Sequence, residues 1–247
     1  MNFLYDAHLI NERSNLNIHS KITYNKQRDT MSVKENVTQI LKEIGDVTLV
    51  CVSKTVEPER INESIKAGAT IIGENRIQEF EEKVEDILPC KKHFIGHLQT
   101  NKVKNAVQHF DLIQSADSLK VIREIDKRAE ETGKIQDILL QVNIGDEPQK
   151  YGLGLDEIES VMQEIPSFDN VRVRGLMCIP PFVPPEQARP YFRKMKVLFD
   201  EMKEEYTNGD NIDIKELSMG MSNDYMVAIE EGATMVRVGS AIFGERD

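Results

Sequence analysis

The segment VTLVCVSK at residues 47–54 is an apolar, β-branched run that ends in a lysine, and EPERI at 57–61 follows it with the pattern of a helix start. This order of strand and helix is typical of parallel α/β proteins. A lysine at the C-terminal end of a buried strand is expected to have its stem among apolar residues. Because burial disfavours the ammonium form, Lys54 is a candidate for Schiff-base chemistry with a carbonyl. The alternative is a lysine that merely extends from a strand end into solvent.

The alternation of strand and helix patterns continues to the C-terminus. Strands are predicted at about 47–53, 70–73, 93–96, 111–115, 137–144, 171–178, 214–219 and 234–239. Helices are predicted at about 57–67, 75–88, 99–108, 118–132, 155–164, 186–207 and 223–231. Gly68 and Gly232 each stand where the residue after a helix C-cap is expected. Eight strands separated by helices predict a (β/α)8 TIM barrel. An open doubly wound sheet is the alternative, but no glycine-rich phosphate loop follows the first strand.

The first thirty residues differ from the rest of the chain, since they are polar and rich in Asn, Ser and Lys. Ser32 and Glu35 then form the sequence pattern of a capping box at the start of a helix predicted at 32–44. We expect residues 31–247 to be one barrel domain and residues 1–30 to be a disordered extension. No helix is predicted after the eighth strand, so the helix at 32–44 is expected to cover that gap.

Composition excludes several classes of function. The net charge of −11 disfavours binding to nucleic acid or to anionic membranes. No apolar run approaches the roughly 20 residues of a membrane span. Cys51, Cys90 and Cys178 are far apart and form no CxxC motif, which is typical of reduced thiols in a cytoplasmic protein. The histidines show no metal-ligand spacing, so no metal site is expected.

Polar or small residues follow the predicted strands at their C-terminal ends, which converge on one rim of a barrel. They include Lys54, Glu74, Asn75, Arg76, Gly96, His97, Ser115, Asn143, Ser218, Ser222, Asn223, Asp224, Arg237, Gly239 and Ser240. Acting together, these residues could form an active or binding site. Taken singly, each could equally be a turn or cap residue.

The ends of the last two strands have the pattern of a phosphate site, which barrels often place there. Ser222 precedes a predicted amphipathic helix with Met226 and Ile229 inward, so we expect it to be an N-cap beside free N–H groups. Gly239 and Ser240 permit close approach of the backbone and add donors. A reactive lysine and a phosphate site on one rim together suggest pyridoxal 5′-phosphate (PLP), an aldehyde that carries a phosphate.

Six motifs then occur in order, over about residues 31–246. They are VSKT (52–55), GENRIQE (73–79), HFIGHLQTNK (93–102), GLMCIP (175–180), LSMGMSND (217–224) and VRVGSAIFGER (236–246). With these motifs the chain closely resembles the YggS/PROSC family, the pyridoxal phosphate homeostasis proteins. The resemblance implies the barrel of the N-terminal domain of bacterial alanine racemase, with PLP bound to Lys54 as an internal aldimine.

The resemblance also implies the surroundings of the cofactor. The phosphate would lie on Ser222, Gly239 and Ser240, and the pyridine nitrogen would face Arg237. Asn75 and His97 would line the ring, with Ser218 and Met219 on the pocket wall. These roles are expectations carried over from the family onto the matching positions of this sequence.

Two features favour a binding protein over an enzyme. Arg237 cannot readily give a proton to the pyridine nitrogen, which weakens the ring as an electron sink, although alanine racemase shares that arginine. Racemases of this fold also carry a further β domain, and a tyrosine of the partner subunit acts as second acid/base. The chain ends at Asp247, just after the eighth strand, so we expect neither the β domain nor the second acid/base.

We therefore expect a non-catalytic, monomeric protein that buffers PLP or delivers it to PLP-dependent apo-enzymes. A PLP-dependent racemase-like enzyme is the alternative. A sugar-phosphate aldolase with a Schiff-base lysine is a third interpretation, and its acid/base pair would be Glu74 and His97.

Overall fold

Eight parallel strands close into a barrel in the order β1 to β8, in a computed structural model that describes residues 31–206 and 211–245. The strands are β1 (Thr48–Val52), β2 (Ile71–Glu74), β3 (Lys91–Phe94), β4 (Leu112–Ala116), β5 (Gln136–Val142), β6 (Val171–Cys178), β7 (Ile212–Met221) and β8 (Met235–Val238). Pairing of β1 with β8 closes the ring. The predicted (β/α)8 barrel is confirmed. Residues 1–30, predicted to be a disordered extension, lie outside the described residues.

Helices surround the barrel. They are α1 (Val33–Ile44), α2 (Pro58–Lys66), α3 (Ile77–Lys83), α4 (Val103–His109), α5 (Leu119–Thr132), α6 (Ile158–Glu164), α7 (Pro185–Glu205), α8 (Tyr225–Glu230) and α9 (Ser240–Phe243), with single 3-10 turns at Val84–Asp86, Thr100–Lys102 and Ile165–Ser167. The short helix α9 follows β8, where no helix was expected. Gly68 and Gly232 follow the C-caps of α2 and α8 with φ of 111° and 96°, as predicted.

Side chains alternate between the barrel interior and the helical layer, because successive residues of a strand point to opposite faces. An interior layer is formed by Val50, Ile71, Leu112, Leu139, Met177 and Met235. Their neighbours in the strands, such as Leu49 and Cys51, pack against the helices in the main core. Burial on both faces explains why a strand such as β1, with the sequence TLVCV, is a nearly continuous apolar run. The interior layer fills the barrel, so groups beyond it lie at the mouth formed by the strands' C-terminal ends.

Helix α1 begins with the predicted capping box. The Glu35 N–H donates to Ser32 Oγ at 3.3 Å, and the Ser32 N–H donates to Glu35 Oε2 at 2.9 Å. The apolar face of α1 packs beside β1 and α9, and the Asn36 side chain donates to the carbonyl of Ile242 at 3.1 Å. Helix α1 therefore lies next to the C-terminal end of β8.

Helix α7 contributes the side chains of Phe192, Met195, Phe199 and Met202 to the core at helical spacing. The opposite face of α7 carries charged residues, in keeping with its position at the surface. Among residues 31–206 and 211–245, none of the helices combines the length and the apolar character that crossing a bilayer requires.

Candidate functional site

A cavity of about 480 Å³ opens at the C-terminal mouth of the barrel. It is lined by Val52, Lys54, Lys150, Ile179, Pro180, Pro181, Phe182, Val183, Met221, Ser222, Asn223, Asp224, Arg237, Gly239 and Ser240. Cavities of this size accommodate small-molecule ligands and cofactors. The structure thus brings together Lys54 from the end of β1, Ser222 from the end of β7, and Arg237, Gly239 and Ser240 from β8 and its following turn.

Lys54 lies in a tight turn just beyond β1, which we call the Lys54 turn (residues 53–56). The Val56 N–H donates to the carbonyl of Ser53 at 3.1 Å and closes the turn. The Lys54 side chain is exposed at the cavity mouth, so the expectation that it is buried is wrong. The strand ends at Val52, and the chain has already left the barrel wall when it reaches the lysine. The stem of Lys54 therefore does not lie inside a buried strand, and the turn sets where its amine lies at the cavity mouth.

Arg237 lies inside the barrel, two residues after the interior residue Met235, and it is almost fully buried. Its Nη1 donates to Ser218 Oγ at 2.6 Å, and its Nη2 donates to the carbonyl of Cys178 at 2.8 Å. Burial lowers the pKa of the guanidinium, while Cys178 and Asp224 oppose that shift. An arginine remains cationic even so. Arg237 is thus a fixed cation at the cavity wall.

A chain of hydrogen bonds continues from Arg237 across the interior of the barrel. Ser218 Oγ donates to Gln114 Oε1 at 2.7 Å, and Gln114 Nε2 lies 3.0 Å from His93 Nδ1. Burial lowers the pKa of His93 to about 4, so the ring is neutral near pH 7 and its Nδ1 accepts from the amide. We call these four residues, Arg237, Ser218, Gln114 and His93, the interior polar network.

The sequence does not single out Gln114 or His93 as parts of the site. The available signal is a polar residue at a buried position of a predicted strand: Gln114 in β4 and His93 in β3. Such groups are rarely left without hydrogen-bond partners, so each implies a buried partner elsewhere. The identity of that partner depends on which strands face each other across the barrel.

The Ser222 hydroxyl joins the ends of β7 and β8. It accepts the backbone N–H of Gly239 at 3.2 Å and that of Ala241 at 3.3 Å. Ser240, between them, is exposed and also lines the cavity. Hydroxyl and amide donors from two loops therefore converge at one side of the cavity.

Ser222 is not the N-cap of the following helix, so that prediction is wrong. Helix α8 begins at Tyr225 with Asp224 as its N-cap residue. The Asp224 carboxylate accepts the Met221 N–H at 2.6 Å and closes a turn before the helix. This turn leaves the Ser222 hydroxyl facing the β8 end. Met226, expected to point inward, is 43% exposed.

Four of the predicted residues do not line the cavity: Ser218 and Met219 on β7, and Asn75 and His97 elsewhere on the rim. Met219 is fully buried in the main core on the helical side of β7, one residue from Ser218 and on the opposite face. This position differs from the pocket wall expected for it. Ser218 points into the barrel and accepts a hydrogen bond from Arg237, but only Arg237 of the two lines the cavity.

His97 and Asn75 lie elsewhere on the rim. The His97 ring stacks on Tyr151 with centroids 3.5 Å apart, and its Nδ1 lies 3.1 Å from Asp117 Oδ2. Asn75 is half-buried at the end of β2, and among the described residues its Oδ1 has no hydrogen-bond partner. Neither side chain is part of the cavity lining.

Comparison with known proteins assigns the chain to a family. The family described as alanine racemase, N-terminal domain, matches residues 29–247. The pyridoxal phosphate homeostasis protein of Aquifex aeolicus is 47% identical over 201 residues, which cover 80% of this chain and 86% of that protein. The chain belongs to the pyridoxal phosphate homeostasis protein family. The resemblance seen in the six motifs is confirmed.

Solved structures agree with this family membership. PipY of Synechococcus elongatus, described as having PLP bound, superposes with a TM-score of 0.79 at 32% identity, covering 86% of this chain and all of PipY. Alanine racemase of Streptomyces lavendulae superposes with a TM-score of 0.71 at 16% identity, and the match covers 87% of this chain and 57% of the racemase. At that identity the racemase shares only the fold.

The position of Glu74 removes support from the aldolase interpretation of this family member. Glu74 is fully buried on the helical side of β2, where it accepts Ser53 Oγ at 2.6 Å and lies 2.9 Å from Lys83 Nζ. Burial raises the pKa of this carboxyl, and Lys83 opposes the shift. Glu74 points away from the cavity and His97 is stacked on the rim, so the two do not form an acid/base pair there.

The loops after β5 and β6 supply further cavity residues that the site prediction did not include. Lys150 is a second lysine in the lining, and its Nζ donates to the carbonyl of Pro180 at 3.1 Å and pairs with Glu147. The proline-rich loop at 180–185 shapes the rim through Pro181 and Phe182, and Phe182 is 89% exposed.

Proposed function

We propose that this protein binds PLP at the mouth of the barrel, holds it covalently on Lys54, and serves PLP homeostasis by buffering or delivering the cofactor. One observation carries the proposal: a single cavity is lined by the amine of Lys54 and by the Ser222, Gly239 and Ser240 group. The names of its relatives and the PLP-bound PipY structure support it.

The residues present suit the chemical groups of PLP. The aldehyde of PLP condenses with a primary amine to form a C=N bond and release one water. A phosphate needs local donors in a chain of net charge −11, and Ser222, Gly239 and Ser240 offer hydroxyl and backbone groups. Arg237 has five N–H donors and no acceptor, so facing the pyridine nitrogen it would donate a hydrogen bond without delivering a proton.

We propose that the protein is a non-catalytic carrier. Among the described residues of the cavity lining there is neither a tyrosine nor a histidine to act as a base opposite Lys54. The homeostasis names of its relatives agree with a carrier role. Two observations are compatible with the racemase-like alternative: the fold that the chain shares with alanine racemase, and Lys150, which is a second amine in the same lining.

The setting of the carrier is also a proposal. We propose that it acts as a monomer, since one chain supplies every residue assigned to the cavity. The free thiols of Cys51 and Cys178 are buried, which suits a reducing cytoplasm. PLP-dependent apo-enzymes would be the recipients, because Lys54 is exposed and a C=N bond formed on it would be accessible to an incoming amine or to water.

An absorbance spectrum of the purified protein, before and after borohydride reduction, followed by peptide mapping, tests the proposal. We expect a yellow protein whose reduced adduct maps to Lys54, and no adduct in Lys54→Ala. Lys150→Ala is the matched control, since it removes the other lysine of the lining and should keep the adduct. A colourless protein that does not bind added PLP, or an adduct on Lys150, would contradict the assignment. Incubation of the loaded protein with L-alanine then separates carrier from racemase, and we expect no D-alanine.

A further inference from the structure

The Lys54 turn has an unfavourable backbone conformation. Lys54 and Thr55 are its two central residues, and Thr55 has φ of 55°. The third position of such a turn is normally occupied by glycine or asparagine when φ is positive. A β-branched residue is a genuine outlier in this region, because its Cβ crowds the backbone. Such a conformation persists only where the surrounding structure imposes it.

Lys83, at the end of α3, contacts both ends of this turn. Its ammonium donates to the carbonyl of Ser53 at 2.9 Å and lies 3.4 Å from the carbonyl of Val56. These two carbonyls flank Lys54 and Thr55. One side chain therefore ties together the points at which the chain enters and leaves the turn.

Two carboxylates complete the cluster. Glu79, one helical turn before Lys83, accepts the N–H of Thr55, and its carboxylate lies 3.1 Å from the Lys83 ammonium. Glu74 lies 2.9 Å from the same ammonium and accepts the hydroxyl of Ser53. The strained residue itself is thus held through its amide, and the neighbouring serine is held through its side chain.

The burial of Lys83 separates this cluster from an ordinary surface ion pair. Only 9% of its side chain is exposed, and an ammonium in such a position is costly unless all its donors are used. From sequence alone, Glu79 and Lys83 look like a common pair at positions i and i+4 of a helix. In the structure the pair is turned inward onto the backbone that carries Lys54.

We propose that Lys83, together with Glu79, is a positioning residue that holds the Lys54 turn in its strained form and so directs the Lys54 amine into the cavity. Lys83 does not itself contact the cavity, and it acts through the turn. As far as it concerns PLP, this inference rests on the proposed function. The conformation of the turn can be measured without any cofactor.

The test compares Lys83→Met with Lys134→Met. Lys134 is the matched control, since it is a partly buried lysine that also donates to two backbone carbonyls, those of Val107 at 2.9 Å and Phe110 at 2.7 Å, away from the cavity. Two readouts are needed. One is the rate at which PLP forms a borohydride-trapped adduct on Lys54, measured by mass spectrometry. The other is hydrogen exchange of the Thr55 and Val56 amides in protein free of PLP.

In Lys83→Met we expect the adduct rate to fall about tenfold or more, because small misplacements of a reacting group have large effects on rate. We expect exchange at Thr55 and Val56 to accelerate by a similar factor. In Lys134→Met both quantities should stay within about twofold of the unmodified protein. An unchanged adduct rate in a folded Lys83→Met protein overturns the proposal, whatever the exchange data give.

Should Lys83→Met fail to fold, Glu79→Ala gives the same test from a more exposed position, since it removes the acceptor of the Thr55 N–H. A smaller loss of adduct rate, with faster exchange at Thr55, supports the proposal, and an unchanged rate overturns it. Failure of the proposed function has a different signature. In that case the unmodified protein forms no adduct on Lys54, and the exchange comparison alone decides whether Lys83 holds the turn.

Discussion

Arg237 on β8 donates a 2.6 Å hydrogen bond to the hydroxyl of Ser218 on β7. The same hydroxyl donates onward to Gln114, which contacts neutral His93. Each residue of the network donates to the next one: Arg237 to Ser218, Ser218 to Gln114, and Gln114 to His93. Because Arg237 can only donate, the Ser218 hydroxyl must accept from it and direct its own proton to Gln114. The guanidinium at the cavity wall is therefore oriented by residues on three other strands.

Loss of the Ser218 hydroxyl should be costly. Ser218→Ala leaves Arg237 Nη1 and Gln114 Oε1 without this buried partner, and we expect the free energy of unfolding to fall by about 1–3 kcal/mol. Ser115→Ala is the control, since the Ser115 hydroxyl is also fully buried but has no hydrogen-bond partner among the described residues. That change should be nearly neutral. Urea unfolding measures both, and equal losses would contradict the role of the network.

His93 should make stability depend on pH. Desolvation lowers its pKa in the folded protein to about 4, against an ordinary value near 6.5, with Asp111 opposing the shift. The unfolded chain therefore binds a proton first as pH falls. The contribution of neutral His93 to the free energy of unfolding is fully present above pH 6.5. It is lost between pH 6.5 and 4, by roughly 3 kcal/mol in total.

The His93 prediction is tested against His93→Gln, which keeps a neutral polar group beside Gln114. Urea unfolding at several pH values should show the unmodified protein losing more stability than the variant between about pH 6.5 and 4. Carboxylates titrate equally in both proteins, so the difference isolates the histidine. Parallel curves would show that His93 titrates normally in the folded state.

The Ser222 and Ser240 hydroxyls should distinguish phosphorylated from unphosphorylated ligand. The double variant Ser222→Ala with Ser240→Ala should weaken binding of PLP by about 10- to 100-fold, as expected for hydrogen bonds to a charged group. Binding of pyridoxal should change much less. Because Ser222 also accepts the amides of Gly239 and Ala241, the single variant Ser240→Ala tests the phosphate contact without disturbing the loop. Equal losses for the two ligands would move the phosphate site elsewhere.

Thr55→Gly should stabilise the protein. A positive φ costs a β-branched residue about 1–2 kcal/mol, whereas glycine adopts it freely but adds roughly 0.5–1 kcal/mol of chain entropy to the unfolded state. We expect a net gain of about 0.5–1 kcal/mol by urea unfolding. Thr38→Gly, at an exposed position inside α1, should instead destabilise. A loss at Thr55 as large as that at Thr38 would show that the turn is not strained.

The fold was largely predictable because each element has a local signature. The apolar run before Lys54 and its counterparts gave strands within a few residues of those observed, and the Ser32 and Glu35 pair marked the start of α1. The prediction of the α8 N-cap failed because two nearby residues could each take that role. Ser222 and Asp224 are both residue types that can precede a helix. The Asp224 carboxylate closes the turn before α8, and the Ser222 hydroxyl instead accepts the Gly239 N–H after β8.

The sequence by itself determined the order of strands and helices, the barrel, the family, and a set of polar residues at the strand ends. Only the tertiary structure decided which of those residues share a cavity, placing Lys54 with Arg237 and leaving Met219 in the core. It alone showed that Lys83 reaches the Lys54 turn and that Gln114 lies between Ser218 and His93. The physical reason is the separation along the sequence of the residues that interact. Periodicity and capping depend on residues a few positions apart, whereas these contacts depend on closure of the ring and on which face of each strand a side chain occupies.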